Sequence, residues 1–131
     1  MSEELKIGAS GELEWLVAAE HCTRRGEEDI FSTPNLVRLL EEASIEALAP
    51  YLTAEQGSVG SRVDVKHLAA TPRGMTVRAR AEVTEIDRRR VVFQVLIDDE
   101  VERIGEAVHE RFIVDLERFE ARVKAKRQAV P

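Results

Sequence analysis

A hydroxyl, a carboxylate and a row of backbone N–H groups fall together around Thr33. The stretch "FSTPNLVRLLEEAS" (31–44) carries Thr33-Pro34 followed by apolar residues at helical spacing, so a helix opens here. Thr followed by Pro puts the hydroxyl at the N-cap and the ring at the first helical position, where a missing N–H is harmless. Capping alone would account for Thr33. Glu41, however, follows Pro34 by seven residues, two turns on, and shares a side of the helix with its N-terminus. The N–H groups of Asn35 and Leu36 are left to face an anion, helped by the helix dipole. A hydroxyl, a carboxylate and oxyanion donors are the parts of an acyl-transfer site.

Three further candidates come from strands. In "SRVDVKHLAATPRGMTV" (61–77), Val63 and Val65 alternate with Asp64 and Lys66, so the next inward position is His67. An inward His is either a hydrogen-bonded core residue or a base. "GSVGSR" (57–62) brings Gly57 and Gly60 into the same strand, a sign of a bulge or of backbone lying close to a ligand. "HERFIV" (109–114) puts His109 and Arg111 on one face of the last strand. A guanidinium there binds a phosphate or pairs with one of the 25 acidic residues.

The elements that must position these residues follow from periodicity. "GELEWLVAAEH" (11–21) reads as a first strand and "CTRRGEED" as a charged loop. A helix runs from Thr33 to about Leu48, on Leu36, Leu39, Leu40, Ala43 and Ala47. Strands at roughly 57–68, 74–86, 90–98 and 101–114 are joined by "ATPRG", "DRRR" and "DDE" turns, and 115–128 reads as a short charged helix. One helix on a mostly antiparallel five-stranded sheet is an α+β layer arrangement. The helix is apolar around more than half its circumference, so the sheet must wrap it. On its wheel Glu42 falls on the polar side with Arg38, while Glu41 falls on the ridge of Val37, Ile45 and Leu48. A carboxylate there needs a hydrogen bond, a raised pKa or a rim position that reaches water. The combination resembles a hotdog fold, which implies a homodimer through exposed sheet edges.

The 131 residues suit one domain, 1–131, with 44% hydrophobic and 34% charged residues. The net charge of −6 argues against nucleic acid, whose phosphates require clustered Lys and Arg. Arg88–Arg90 reads as a turn, not as such a cluster. Cys22 is alone, so neither an intrachain disulfide nor a Cys-based metal site is expected. With no signal-like segment and no run near ~20 apolar residues, the expectation is a cytoplasmic protein without membrane contact.

The motifs "FSTPNLVRLLEEAS", "GSVGSRVDVKHLAATPRGMTVRARAEVTEID" and "IGEAVHERFIV" together resemble the fluoroacetyl-CoA thioesterase-like hotdog proteins over roughly 30–118. The resemblance implies an acyl-CoA thioesterase with Thr33, Glu41 and His67 as catalytic residues. It implies Gly60 close to the thioester, Arg111 near the acyl pocket, and Phe31 and Asn35 in the substrate site. No metal or separate cofactor is implied; coenzyme A arrives as part of the substrate. In the fluoroacetyl-specific enzyme, phenylalanines upstream of the threonine close the pocket over a very small acyl group. Here "CTRRGEEDIF" retains only Phe31, which predicts a different acyl group. The other readings are a non-catalytic acyl-CoA-binding hotdog protein and a hotdog enoyl-CoA hydratase or dehydratase.

Overall fold

The computed structural model describes residues 4–131. Strand β1 (Ser10–Leu16) leads through a 3-10 turn (Ala19–His21) into a hairpin of β2 (Cys22–Arg25) and β3 (Glu28–Phe31). Helix α1 (Thr33–Leu48) follows, then β4 (Gln56–His67), β5 (Thr76–Asp87), β6 (Arg90–Asp98), β7 (Arg103–Asp115) and α2 (Leu116–Gln128). The five long strands form one antiparallel sheet in the order β1-β5-β6-β7-β4, with α1 held on its inner face. This is the hotdog fold expected from the pattern.

Period-two alternation builds the inner face. Val77, Ala79, Ala81 and Val83 of β5, and Val91, Phe93, Val95 and Ile97 of β6, are all fully buried against α1. From the helix come Leu36, Leu39, Leu40, Ala43, Ser44, Ala47 and Leu48; Ser44 offsets its polarity by donating to the Leu40 carbonyl at 2.9 Å. Two glycines let the layers close. A Cβ on Gly105 would meet Leu36 at 3.3 Å, and one on Gly11 would lie 2.5 Å from the Ala47 backbone nitrogen.

Two sequence expectations give way here. The first strand ends at Leu16 rather than at residue 21, because the chain turns at Ala19–His21. The charged segment 22–31 is a hairpin, not a loop. Gly26, at φ +59°, takes the first turn position, where a two-residue hairpin needs positive φ, and Arg24 pairs with Asp29 at 3.1 Å. The outer face of the sheet carries ion pairs, and Glu110 of β7 accepts from Arg62 at 2.9 Å and Arg90 at 2.6 Å. These bonds hold its carboxyl below the usual carboxylate range. Among the described residues no helix is long and apolar enough to cross a membrane.

Gly11→Ala pushes a methyl into helix backbone that has no side-chain freedom to yield. Overpacking of this kind costs about 1–3 kcal/mol. Urea denaturation should show that loss for Gly11→Ala, and nearly none for Ser10→Ala on the exposed neighbour.

Candidate active site

The hydroxyl of Thr33 does not cap the helix. Ser32 does: its Oγ accepts from the Asn35 backbone N–H at 3.3 Å and from Asn35 Nδ2 at 2.8 Å. Thr33 becomes the first helical residue, and its side chain reaches β4, where Oγ1 lies 2.8 Å from His67 Nδ1. The strand delivers His67 because it occupies the last inward position before the chain turns away after Gly105 of the paired strand. Burial pushes the imidazole pKa down, opposed by the Ala69 backbone, so the ring is biased to its neutral form. Its Nε2 is buried and has no hydrogen-bond partner among the described residues.

The oxyanion donors fall elsewhere than expected. Asn35 N–H is engaged by Ser32 Oγ, and Leu36 N–H by the Ser32 carbonyl at 2.9 Å. Pro34 has none, so Thr33 supplies the free N–H at the helix start among the described residues. Beside Thr33 and His67 lies an open hollow of about 360 Å³, lined by Thr23, Arg25, Ile30, Phe31, Leu68 and Ala69 among others. Phe31 gives little to it. The ring is 1% exposed and packs edge-on against Trp15 and His21, as part of the core.

Glu41 belongs to a second cluster. The ridge it shares with Val37 and Ile45 lies at the rim of the sheet, and only Leu48 of its expected neighbours is buried. Its side chain is 37% exposed, much like that of Glu42 at 39%; the two differ in partner, not in burial. Glu42 meets Arg38 on the helix surface at 3.6 Å, while Glu41 Oε2 meets the buried Arg111 Nη1 at 3.3 Å. Arg111 has four of its five N–H donors engaged within the described residues: besides Nη1, Nε donates to Ser58 Oγ at 2.9 Å and Nη2 to the Ser58 carbonyl at 3.0 Å. His109 completes the group. Its Nδ1 is 2.7 Å from the Arg62 carbonyl, which only accepts, so Nδ1 carries the proton and Nε2 accepts from Arg111 Nη1 at 3.2 Å. Gly60 lies directly over the cluster, where a Cβ would fall 2.8 Å from Glu41 Oε2.

The two clusters are separate within one chain. Gly60 and His67 are seven residues apart on β4, which is ~20 Å of strand. Among the described residues no three His, Cys, Asp or Glu side chains converge as a metal site.

Residues 16–117 match the family model described as fluoroacetyl-CoA-specific thioesterase. The chain belongs to this family. A fluoroacetyl-CoA thioesterase of Streptantibioticus cattleyicolor is 42% identical over 101 residues, 77% of this chain and 73% of that protein. The solved fluoroacetyl-CoA thioesterase FlK superposes with a TM-score of 0.87 at 34% identity, covering 98% of this chain and all of that one. A mutant of that enzyme in complex with fluoroacetate and CoA gives 0.81 at 33% identity, covering 88% and 99%.

In this member of the fluoroacetyl-CoA-specific thioesterase family, sequence reasoning paired His109 with Arg111 on one strand face but gave His109 no task. It also missed Ser58 and Ser32. Ser58 stands two residues before Gly60 in "GSVGSR", and Ser32 immediately precedes Thr33; a serine one residue ahead of a Thr-Pro is itself a capping signal.

His109 is fully buried, and burial pushes its pKa down, with the Arg62 carbonyl opposing and the Arg111 charge lowering it further. Both depressed histidines contribute stability that is complete above their unfolded pKa of about 6.5 and is lost as pH falls toward their folded values. Carboxylates such as Glu110 and Asp99, held low, act only below about 4.5. Tm should therefore drop between pH 7 and 5, and His109→Gln and His67→Gln should each flatten that slope. An unchanged slope in both variants would mean that neither imidazole is buried neutral.

Proposed function

We propose that this chain hydrolyses acyl-CoA thioesters, with Thr33, His67 and Glu41 as its catalytic residues. The observation that carries the reading is the 2.8 Å contact between Thr33 Oγ1 and His67 Nδ1, made by a hydroxyl that capping does not need. Neutral His67 takes a proton from the Thr33 hydroxyl, or from a water held in its place, as that oxygen adds to the thioester carbonyl. When the C–S bond breaks the imidazolium returns the proton to the departing CoA sulfur, and where Thr33 was the nucleophile a water then hydrolyses the acyl-threonine ester. The free Thr33 N–H at the positive end of α1 receives the developing oxyanion. Glu41, clamped by Arg111, orients the attacking group. Coenzyme A comes with the substrate, and no further cofactor is needed.

A site built this way needs two chains, since Glu41 lies eight residues past Thr33 on α1, ~12 Å of helix, and its contacts are with Arg111 and Gly60 rather than with Thr33 or His67. The supporting feature is β4 itself, a 12-residue edge strand paired on one side only. Two such edges paired antiparallel about a two-fold near Asp64 set His67 against Gly60 of the partner subunit, and hence against its Glu41. The product is a homodimer with two shared sites.

The acyl group is larger than fluoroacetyl. Among the described residues the core-packed Phe31, 1% exposed, is the aromatic in the lining of the hollow beside Thr33, and Ile30, Leu68 and Ala69 form the rest of its apolar wall.

Thiol release across short, branched, aromatic and long acyl-CoAs should show turnover, without the absorbance change of a hydratase, and little preference for fluoroacetyl-CoA over acetyl-CoA. Preference by several orders of magnitude for the fluorinated substrate would refute the open-pocket reading. His67→Ala should lower kcat/KM by ~10²-fold or more while leaving the protein folded. Glu41→Gln should be severe and Glu42→Gln nearly silent. The acid limb of the rate profile should have its midpoint below the free-histidine value of about 6.5, because His67 resists protonation. Finally, inactive His67→Ala and Glu41→Gln proteins mixed and exchanged should regain about a quarter of wild-type activity, one intact site in each mixed dimer. No recovery would place all three residues in one chain.

A further inference from the structure

In the sequence, Arg88–Arg90 is a hairpin turn and residues 115–128 are a charged tail, and neither alone is a basic patch. The fold joins them. Arg89 from the β5–β6 turn and Arg118 and Arg122 from α2 line one hollow of about 400 Å³, together with Ile113, Asp115 and Phe119. At ~100° per residue, Arg118, Phe119 and Arg122 share one side of α2 while Glu117 and Glu120 occupy the opposite side. Asp115 is the one carboxylate in the lining, 3.3 Å from Arg89 and 4.0 Å from Arg118. Arg122 makes no ion pair among the described residues. Three guanidiniums against one carboxylate leave a local excess of two positive charges on a chain of net charge −6. The turn that presents Arg89 is itself strained, with Arg88 at φ +58° where Gly or Asn is usual. Phe119 is 37% exposed beside these arginines, an apolar face next to cations.

We propose that this hollow holds the nucleotide end of coenzyme A, with the arginines on its phosphates and Phe119 against the adenine. The assignment rests on the acyl-CoA reading of the Glu41 cluster. Arg111, which clamps Glu41, precedes Asp115 by four residues on β7, ~13 Å. That separation is within the reach of an extended pantetheine arm between a thioester at Glu41 and the arginines. Guanidinium forks suit phosphate oxygens better than lysine ammoniums would, and α2 contributes Arg118 and Arg122 to this lining.

Calorimetric titration with coenzyme A and with adenosine 3′,5′-bisphosphate tests the site without requiring turnover. Arg118→Glu/Arg122→Glu should weaken both ligands at least tenfold, and raised salt should weaken wild-type binding in the same direction. Arg89→Glu, on the turn and independent of α2 integrity, should weaken them as well. Lys124→Glu/Arg127→Glu makes the same charge change on the opposite side of α2 and should leave both affinities within twofold. Equal weakening by that control, no weakening by the arginine variants, or displacement by inorganic phosphate as effective as by the bisphosphate would overturn the assignment. A protein that hydrolyses acyl-CoA but binds the bisphosphate indifferently to these arginines refutes this site alone. One that turns over no acyl-CoA yet binds through them refutes the thioesterase reading and leaves the nucleotide site standing.

Discussion

Helix α1 buries seven side chains completely over 16 residues, on a face too wide for one flat surface to cover, so the sheet must curl around it. The closeness of that wrapping is set at backbone level: Gly11 lies against the Ala47 main chain and Gly105 under Leu36. Side chains that fit between such layers must be small or flat, which is why β5 presents Ala79 and Ala81 beneath the helix while β6 presents the larger Phe93 and Ile97. Enclosure also fixes where polar chemistry can go. Only the two long rims of the helix and its N-terminus leave the sheet, and Glu41 and Thr33 occupy one each.

At the rim, a buried arginine decides what Glu41 can be. Burial pulls the Arg111 pKa down and the Glu41 carboxylate opposes that fall. Removing one partner of such a pair leaves an uncompensated buried charge, which is more costly than the pair is stabilising. Two further donors of the guanidinium go to Ser58, and His109 accepts from it through a tautomer dictated by the Arg62 carbonyl. Arg62 itself is anchored on the outer face by Glu110. The chain of contacts thus runs through the sheet, from a surface ion pair to the carboxylate. Arg111 clamps Glu41 and sets the orientation of its carboxylate.

Much of this was legible in the sequence because it follows from period. The α1 boundaries, the long strands, the inward placement of His67 and the sharing of one strand face by His109 and Arg111 are all consequences of 3.6 and 2.0 residue repeats. What periodicity could not supply is partnership. A wheel puts Glu41 on the Val37–Ile45 ridge, but the depth of that ridge depends on where the sheet ends, and the sheet ends there. Thr33 was read as the cap because Thr-Pro suits one; Ser32 suits one equally, and only the placement of β4 opposite Thr33 shows which hydroxyl is spare. The hairpin at 22–31 was masked by its charges, since four-residue strands outside the main sheet need not alternate cleanly.

One irregularity reconciles positions that strict alternation would set apart. On a regular strand Gly60 and His67, seven apart, face opposite sides of the sheet. In β4 the pairing passes from Gly60 opposite Arg111 to Arg62 opposite Glu110, so Ser61 is an inserted residue. Below the bulge Ser58 and Gly60 point inward, to Arg111 and Glu41; above it Val63, Val65 and His67 do. The same bulge therefore lets one edge strand present a glycine that admits Glu41 and an imidazole that meets Thr33 on a single face. Deleting Ser61 would turn one of those two sets toward solvent while leaving every side chain of the chemistry in place in the sequence, so the register of β4, as much as the identity of Thr33, Glu41 and His67, makes this face a candidate site.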